Sequence, residues 1–467
     1  MPNDQLTNSQ MRDIEALLHP YTNAGAHRQV GAHLIESGEG VYVYDEAGKR
    51  YIEGMAGLWC AGLGFGDQEL IECAQEQLAK LPYYHLFGGR THEPAIELAE
   101  KIKDMFPVPM ARVFYCSSGS EANDTQVKLA WYMMNARGTP ERKKIISRKK
   151  GYHGVTLVSA SMTGLPTNHA SFNLPFDFIK HTTTPHYWRE GRDGESEAEF
   201  AQRCADELEA LILEEGPETV AAFIAEPVMG AGGVIAPPRG YFQAVSAVLD
   251  KYDILFIDDE VICGFGRTGE WFGATSQGMT DGVRAPTSVS MAKQLTGAYA
   301  PLSAVALNAE MAEAIESEAS KQPVLGHGYT YGGHPLGCAV GVKTLELYQS
   351  RNILAHVRSV IPAFEAHMKR LEGHPLVGEA RVAGLMGGLE LSPDPANAAA
   401  FAAPGKVGPK LANELLQHGV ILRAIGDTLA FCPPMVISAD EIEAMFAPLE
   451  TALDATMHWA KAEGHLA

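Results

Sequence analysis

The sequence predicts an α/β fold: a mainly parallel sheet flanked by helices, with a small α+β domain assembled from both ends of the chain. Three observations carry this. Between about Glu69 and Gly332, short apolar runs alternate with helical stretches. Near the start, GVYVYDEAGKRYIEG has the alternation and turn residues of a hairpin. Beyond His334 the pattern changes to long amphipathic helices around a further strand pair.

The elements follow in order. The hairpin sets Val41 to Tyr44 and Arg50 to Ile52 around the turn residues Asp45 to Gly48. RVFYC, KIIS, VAAFIAEP, ILFIDDEV and TSVSMAK each fit a strand buried on both faces, as strands of parallel sheets are. Thr182 to Asp206 is polar and acidic and reads as a surface excursion without chemistry. A loop rich in Pro and Ala, SPDPANAAAFAAPGK, precedes a strand pair around ILRAIGDTLAF. A closing helix begins at a capping box, Ser438 and Glu441, and turns Ile442, Met445, Phe446, Leu449 and Leu453 to the core. The division is therefore 1–68 and 334–467 for the small domain and 69–333 for the large one. The chain has no repeat with a period of about 20 to 50 residues, which argues against a solenoid.

Composition narrows the function. Lys and Arg total 37 against 57 Asp and Glu, a formal charge of −20, so nucleic acid and anionic membranes are not general partners. No apolar stretch approaches the roughly 18 residues of a spanning helix. The N-terminus lacks a basic flank followed by an apolar segment, so a cytoplasmic protein is expected. The seven cysteines form no C-x-x-C pair and read as reduced, packed thiols. The 17 histidines form no H-E-x-x-H element, and no metal site is expected.

In open parallel sheets, ligands bind beyond the carboxyl ends of the strands. RVFYC is followed by Ser117-Ser118-Gly119-Ser120 and a helical run, where small residues and a helix start suit a phosphate; the same stretch also fits a plain turn with Ser120 as N-cap. ILFI is followed by Asp258, Asp259 and Glu260, and burial would demand a cation or proton donor for one of them. Lys293 follows TSVSMA and could be a desolvated amine nucleophile suited to Schiff-base formation, or a solvated lysine at a strand end. Tyr152 and His153 follow another strand, where an aromatic can stack on a planar ligand or fill the core. GFGRTG, Gly264 to Gly269, matches a dinucleotide fingerprint only literally, because no helical period follows it.

Together these motifs resemble the class III aminotransferases, fold type I enzymes that use pyridoxal 5'-phosphate. The resemblance runs through EGMAGLWC, SGSEAND, GYHG, EPVMGAGG, DDEVICGFGRTG, AKQLTGAYAPL, GHGYTYGGHPLGCA and RAIGDTLAFCPP, in the family's order along nearly the whole chain. It implies a seven-stranded sheet, with pyridoxamine 5'-phosphate as the half-reaction form of the cofactor. It implies that Lys293 carries the cofactor covalently and that Asp259 partners the pyridine nitrogen. Ser118, Gly119 and Ser120 would hold the phosphate, Tyr152 and Val261 would cover the two ring faces, and His153 and Glu226 would complete the cofactor site. Thr330 would reach the phosphate of a second subunit, which implies a homodimer with interfacial sites, or a dimer of dimers. Trp59, Leu86, Phe87, Tyr152 and Ala231 would wall the substrate pocket, and Arg423 would pair with the acceptor carboxylate. The implied reaction moves an amino group from an amine or ω-amino acid to pyruvate. A 2-oxoglutarate enzyme of the 4-aminobutyrate or ornithine type, or an aminomutase, is the alternative. Two departures from the family pattern are Gln294, where a small residue is usual, and PLSA at Pro301 to Ala304 in place of PLGA.

Overall fold

The computed structural model describes residues 6–280 and 283–466; the remaining residues of the 1–68, 69–333 and 334–467 assignments lie outside the described residues. The central sheet has seven strands: β1 Arg112–Cys116, β2 Lys144–Arg148, β3 Ile179–Thr182, β4 Val220–Ala225, β5 Leu255–Asp259, β6 Ser288–Met291 and β7 Ser303–Leu307. Their spatial order is β1-β7-β6-β5-β4-β2-β3. β7 runs antiparallel to both neighbours, and the other pairings are parallel. β4, β5, β6 and β7 are buried at every residue, as expected when helices cover both faces. Two of these strands escaped the sequence pattern. IKHT of β3 is short and polar, and SAVAL of β7 is rich in small residues with weak strand preference, so neighbouring strands decide both.

Both chain ends contribute to one small sheet. Ile35–Glu39, Tyr42–Asp45 and Arg50–Glu53 pair antiparallel, and Val420–Ile421 adds in parallel, with Val420 opposite Ile52. A second sheet joins Val377–Val382, Gly387–Leu391, Thr428–Phe431 and Arg423–Ile425. The predicted strand pair around ILRAIGDTLAF is present, with Arg423 opposite Ala430.

Three expectations are corrected. The closing helix is two helices, Ala439–Phe446 and Leu449–Ala462, because Pro448 lacks the N–H that would continue the first. Its capping box forms as expected. The stretch from Thr182 to Asp206 is no mere surface excursion: His186 is buried and Arg189 faces the main cavity. The N-cap of the helix Gly119–Ala136 is Ser118, not Ser120.

GFGRTG forms turns. Its Arg267 is fully buried and donates to the carbonyls of Pro433 at 2.5 Å and Leu385 at 3.4 Å, tying this turn to the C-terminal part of the chain. That is a structural role, not dinucleotide binding.

Candidate active site

A cavity of about 1180 Å³ lies beyond the carboxyl ends of β1, β2, β4, β5 and β6. Lys293 sits two residues past β6, with its backbone in the left-handed region at φ 51°. A lysine holds that conformation only where the surroundings over-determine it. The neighbouring Gln294 supplies the restraint: its Nε2 donates to the carbonyl of Trp59 at 3.1 Å, and its own carbonyl accepts from the Tyr348 hydroxyl at 2.8 Å. Burial lowers the pKa of the Lys293 ammonium from its ordinary value, against the opposing pull of Asp259 and other acids.

Strand alternation separates the two aspartates of β5. Asp259 faces the cavity. Its Oδ2 accepts from Asn123 Nδ2 at 2.7 Å and lies 2.8 Å from His153 Nδ1, and its Oδ1 accepts from the amide of Val261 at 3.1 Å. Asp258 points away from the cavity, with both oxygens buried and without hydrogen-bond partners among the described residues. Burial, with Glu260 and Asp259 nearby, raises its pKa well above the usual carboxyl range. Glu260 accepts from the amides of Gly273 at 2.9 Å and Ala274 at 2.6 Å and so fixes the following turn.

The phosphate-like cradle is built from glycines and a helix start. A Cβ on Gly119 would meet Val261 at 3.0 Å, and one on Gly154 would meet Ser120 Oγ at 2.5 Å. The Ser120 hydroxyl accepts from the amide of Val155 at 3.0 Å. The Ser303 hydroxyl donates to the Ser118 carbonyl at 2.7 Å, so the serine of PLSA braces the loop in a way glycine cannot. Glu226 accepts from the amides of Tyr152 at 2.9 Å and Gly230 at 3.0 Å, and burial raises its pKa.

Eleven of the residues singled out from sequence line this one cavity: Trp59, Gly119, Ser120, Tyr152, His153, Glu226, Ala231, Asp259, Val261, Lys293 and Arg423. Four do not. Ser118 caps the helix. Leu86, Phe87 and Thr330 lie together elsewhere, where Gly333 abuts Leu86 and Gly328 abuts Phe87. Phe87 is 48% exposed there.

Sequence reasoning missed Asn123, whose amide bridges Asp259, the His153 carbonyl and Ser290. Its position three residues after Ser120, one helical turn along, was the available signal. Tyr21 and Asn168 also line the cavity and meet at 2.6 Å, which nothing in the local sequence marks.

The donor set fits pyridoxal 5'-phosphate: a desolvated amine, a carboxylate held by three donors, an aromatic wall and a glycine-lined helix start. The sheet order and this constellation define a fold type I transferase. The chain belongs to the class III aminotransferase family, whose profile matches residues 24–453. It is 47% identical to gamma-aminobutyrate transaminase 1, mitochondrial, of Oryza sativa subsp. japonica over 94% of this chain and 84% of that protein. Among solved structures it is similar to the omega transaminase of Pseudomonas jessenii in complex with PMP, with TM-score 0.94, 47% identity, and coverage of 97% of this chain and 99% of that chain. A thermostable 4-fold mutant of the P. jessenii omega transaminase superposes with TM-score 0.95, at 47% identity over 97% of this chain and 99% of that chain. Class III aminotransferases use pyridoxal 5'-phosphate. Among the described residues, no helix is long and apolar enough to cross a membrane.

Proposed function

We propose that this aminotransferase moves an amino group from an apolar amine or ω-amino acid to pyruvate, giving an aldehyde or ketone and alanine. One observation carries the reading: Lys293 and Asp259 share a cavity with the aromatic rings of Trp59 and Tyr152, the small Ala231 and the cation Arg423. Pyridoxal 5'-phosphate, interconverting with pyridoxamine 5'-phosphate, supplies the electron sink for breaking the substrate Cα–H bond. The chain's residues do the rest. Lys293, with its amine made less basic by burial, would take the proton from the substrate Cα as general base and give it up as general acid at the cofactor carbon that receives the amino group, not back at Cα. Asp259, positioned by Asn123 and His153, partners the pyridine nitrogen. Gly119 and Ser120, at the helix start that Ser118 caps, would hold the phosphate with Thr330 of a second copy, and Tyr152 and Val261 would flank the ring.

Both substrates occupy one pocket, so the wall must take an apolar group and a carboxylate in turn. Arg423 at the end of a short hairpin strand suits this, with Trp59 and Tyr152 supplying apolar surface. A charge-assisted pair contributes roughly 1.5 to 3 kcal/mol, so Arg423→Ala should weaken pyruvate by about 10- to 100-fold and an uncharged amine far less. Equal losses would refute dual recognition. The rice relative's name favours 4-aminobutyrate as one ω-amino acid donor. A donor panel run against pyruvate and 2-oxoglutarate separates the pyruvate reading from the 2-oxoglutarate type, and stoichiometric keto-acid consumption separates both from an aminomutase.

The clustering of Leu86, Phe87 and Thr330 away from this chain's cavity, with Tyr83 and Tyr331 also exposed beside them, supports a homodimer in which they complete the partner's site. All seven cysteines are free, which suits the reducing cytoplasm.

A further inference from the structure

We infer that Asp13, His19 and His27 form a binding site for a first-row divalent transition ion, of which zinc is the probe of choice, and that the ion staples the N-terminal segment over the cavity mouth. The two imidazole Nε2 atoms converge on the same carboxylate oxygen: Asp13 Oδ2 lies 2.9 Å from His19 Nε2 and 2.9 Å from His27 Nε2. The imidazole rings lie 4.4 Å apart between centroids, tilted by 45°. The three ligand atoms all fall within 4.8 Å of one another. Tetrahedral zinc with legs of about 2.0 to 2.1 Å separates its ligands by roughly 3.3 Å, so each 2.9 Å oxygen–nitrogen gap needs to open by only about 0.4 Å to admit the ion. Two imidazoles and one carboxylate are the donor set of zinc, cobalt or nickel, with water completing the shell. Exposure of 30% for His19 against 14% for Asp13 and 11% for His27 leaves one open side for entry. The spacing of these residues matches no metal motif, which is why the sequence points to none.

An independent observation says what the ion would do. The helices Asn8–Ala16 and Ala24–Val30, which carry Asp13 and His27, bury none of their residues. Yet the turn between them delivers Pro20 and Tyr21 to the cavity, where the Tyr21 hydroxyl accepts from Asn168. A segment without its own core is the kind that a metal ligand set stabilises. The Asp13–His19–His27 contact is the cross-link that closes it.

The test titrates zinc into chelator-treated, desalted holoenzyme by calorimetry, alongside His19→Gln and His27→Gln, which keep a hydrogen-bonding side chain but lose the ligand nitrogen. The site predicts one zinc per chain beyond what the His19→Gln, His27→Gln double variant binds. Each single variant should weaken it by on the order of tenfold or more, with cofactor absorbance unchanged. Equal zinc binding by wild type and variants would overturn the site and leave the trio as a hydrogen-bonded cluster. The staple is read separately: zinc at about ten times its Kd should slow tryptic cleavage after Arg28 by about tenfold. Cleavage indifferent to bound zinc would overturn that consequence.

Discussion

Lys293 and Asp259 owe their chemistry to neighbours that local sequence does not single out. Gln294 pins the strained lysine backbone to Trp59 and Tyr348, and Asn123 orients the aspartate. Lys293→Ala should abolish turnover while noncovalent cofactor binding persists, checked by steady-state rates and by borohydride labelling of the holoenzyme; normal activity would sink the assignment. Asn123 was hidden because its partners come from β5, β6 and the loop after β2, although Ser120 one turn earlier was in plain view. Glu53 is a second residue-scale case. Burial raises its carboxyl pKa from 4.5 to about 7, against the amides of Met55 and Gly57. The folded state thus prefers its protonated form, so Glu53 contributes stability that is fully present below pH 4.5 and is lost as pH rises through 7. The loss across that window is roughly 3 kcal/mol, and Glu53→Gln should flatten it in denaturant midpoints measured across that range.

At the scale of elements, what places the site is strand alternation and the ends of strands. β5 turns Asp259 to the cavity and Asp258 away from it, so three consecutive acids acquire three different roles. GFGRTG ties the chain's middle to residues 385 and 433 through Arg267, whose loss strands two buried carbonyls and opens a cavity. Arg267→Ala should therefore cost about 3 kcal/mol, visible as a lowered unfolding midpoint. The capping box at Ser438 is a smaller contribution: Ser438→Ala should cost about 1 kcal/mol by the same measurement. That box was readable because a cap is local. The break at Pro448 was readable too, since proline carries no N–H, but the apolar spacing across it masked the stop.

The whole molecule is organised by the meeting of its two ends and, on the proposed reading, by a second copy. Residues 35–53 and 420–421 share one sheet, which brings Trp59 and Arg423 into the lining of the same cavity. The proposed dimer should sediment at twice the 50.3 kDa of one chain. Mixing Lys293→Ala with Thr330→Ala chains should restore activity at limiting cofactor, because each mixed dimer keeps one site with both residues. No gain over the separate variants would count against a shared phosphate cup.

The sequence alone determined the alternating α/β plan, the strand ends that carry Ser120, Tyr152, Asp259 and Lys293, and the local caps, because periodicity, turn chemistry and capping act within a few residues. Tertiary structure alone decided that Leu86, Phe87 and Thr330 stand apart from Lys293, that Arg189 reaches the cavity, and that Asp13, His19 and His27 converge. The physical reason is that side-chain contacts between distant segments depend on how sheets and helices pack, a property of the whole core that no short window of residues contains.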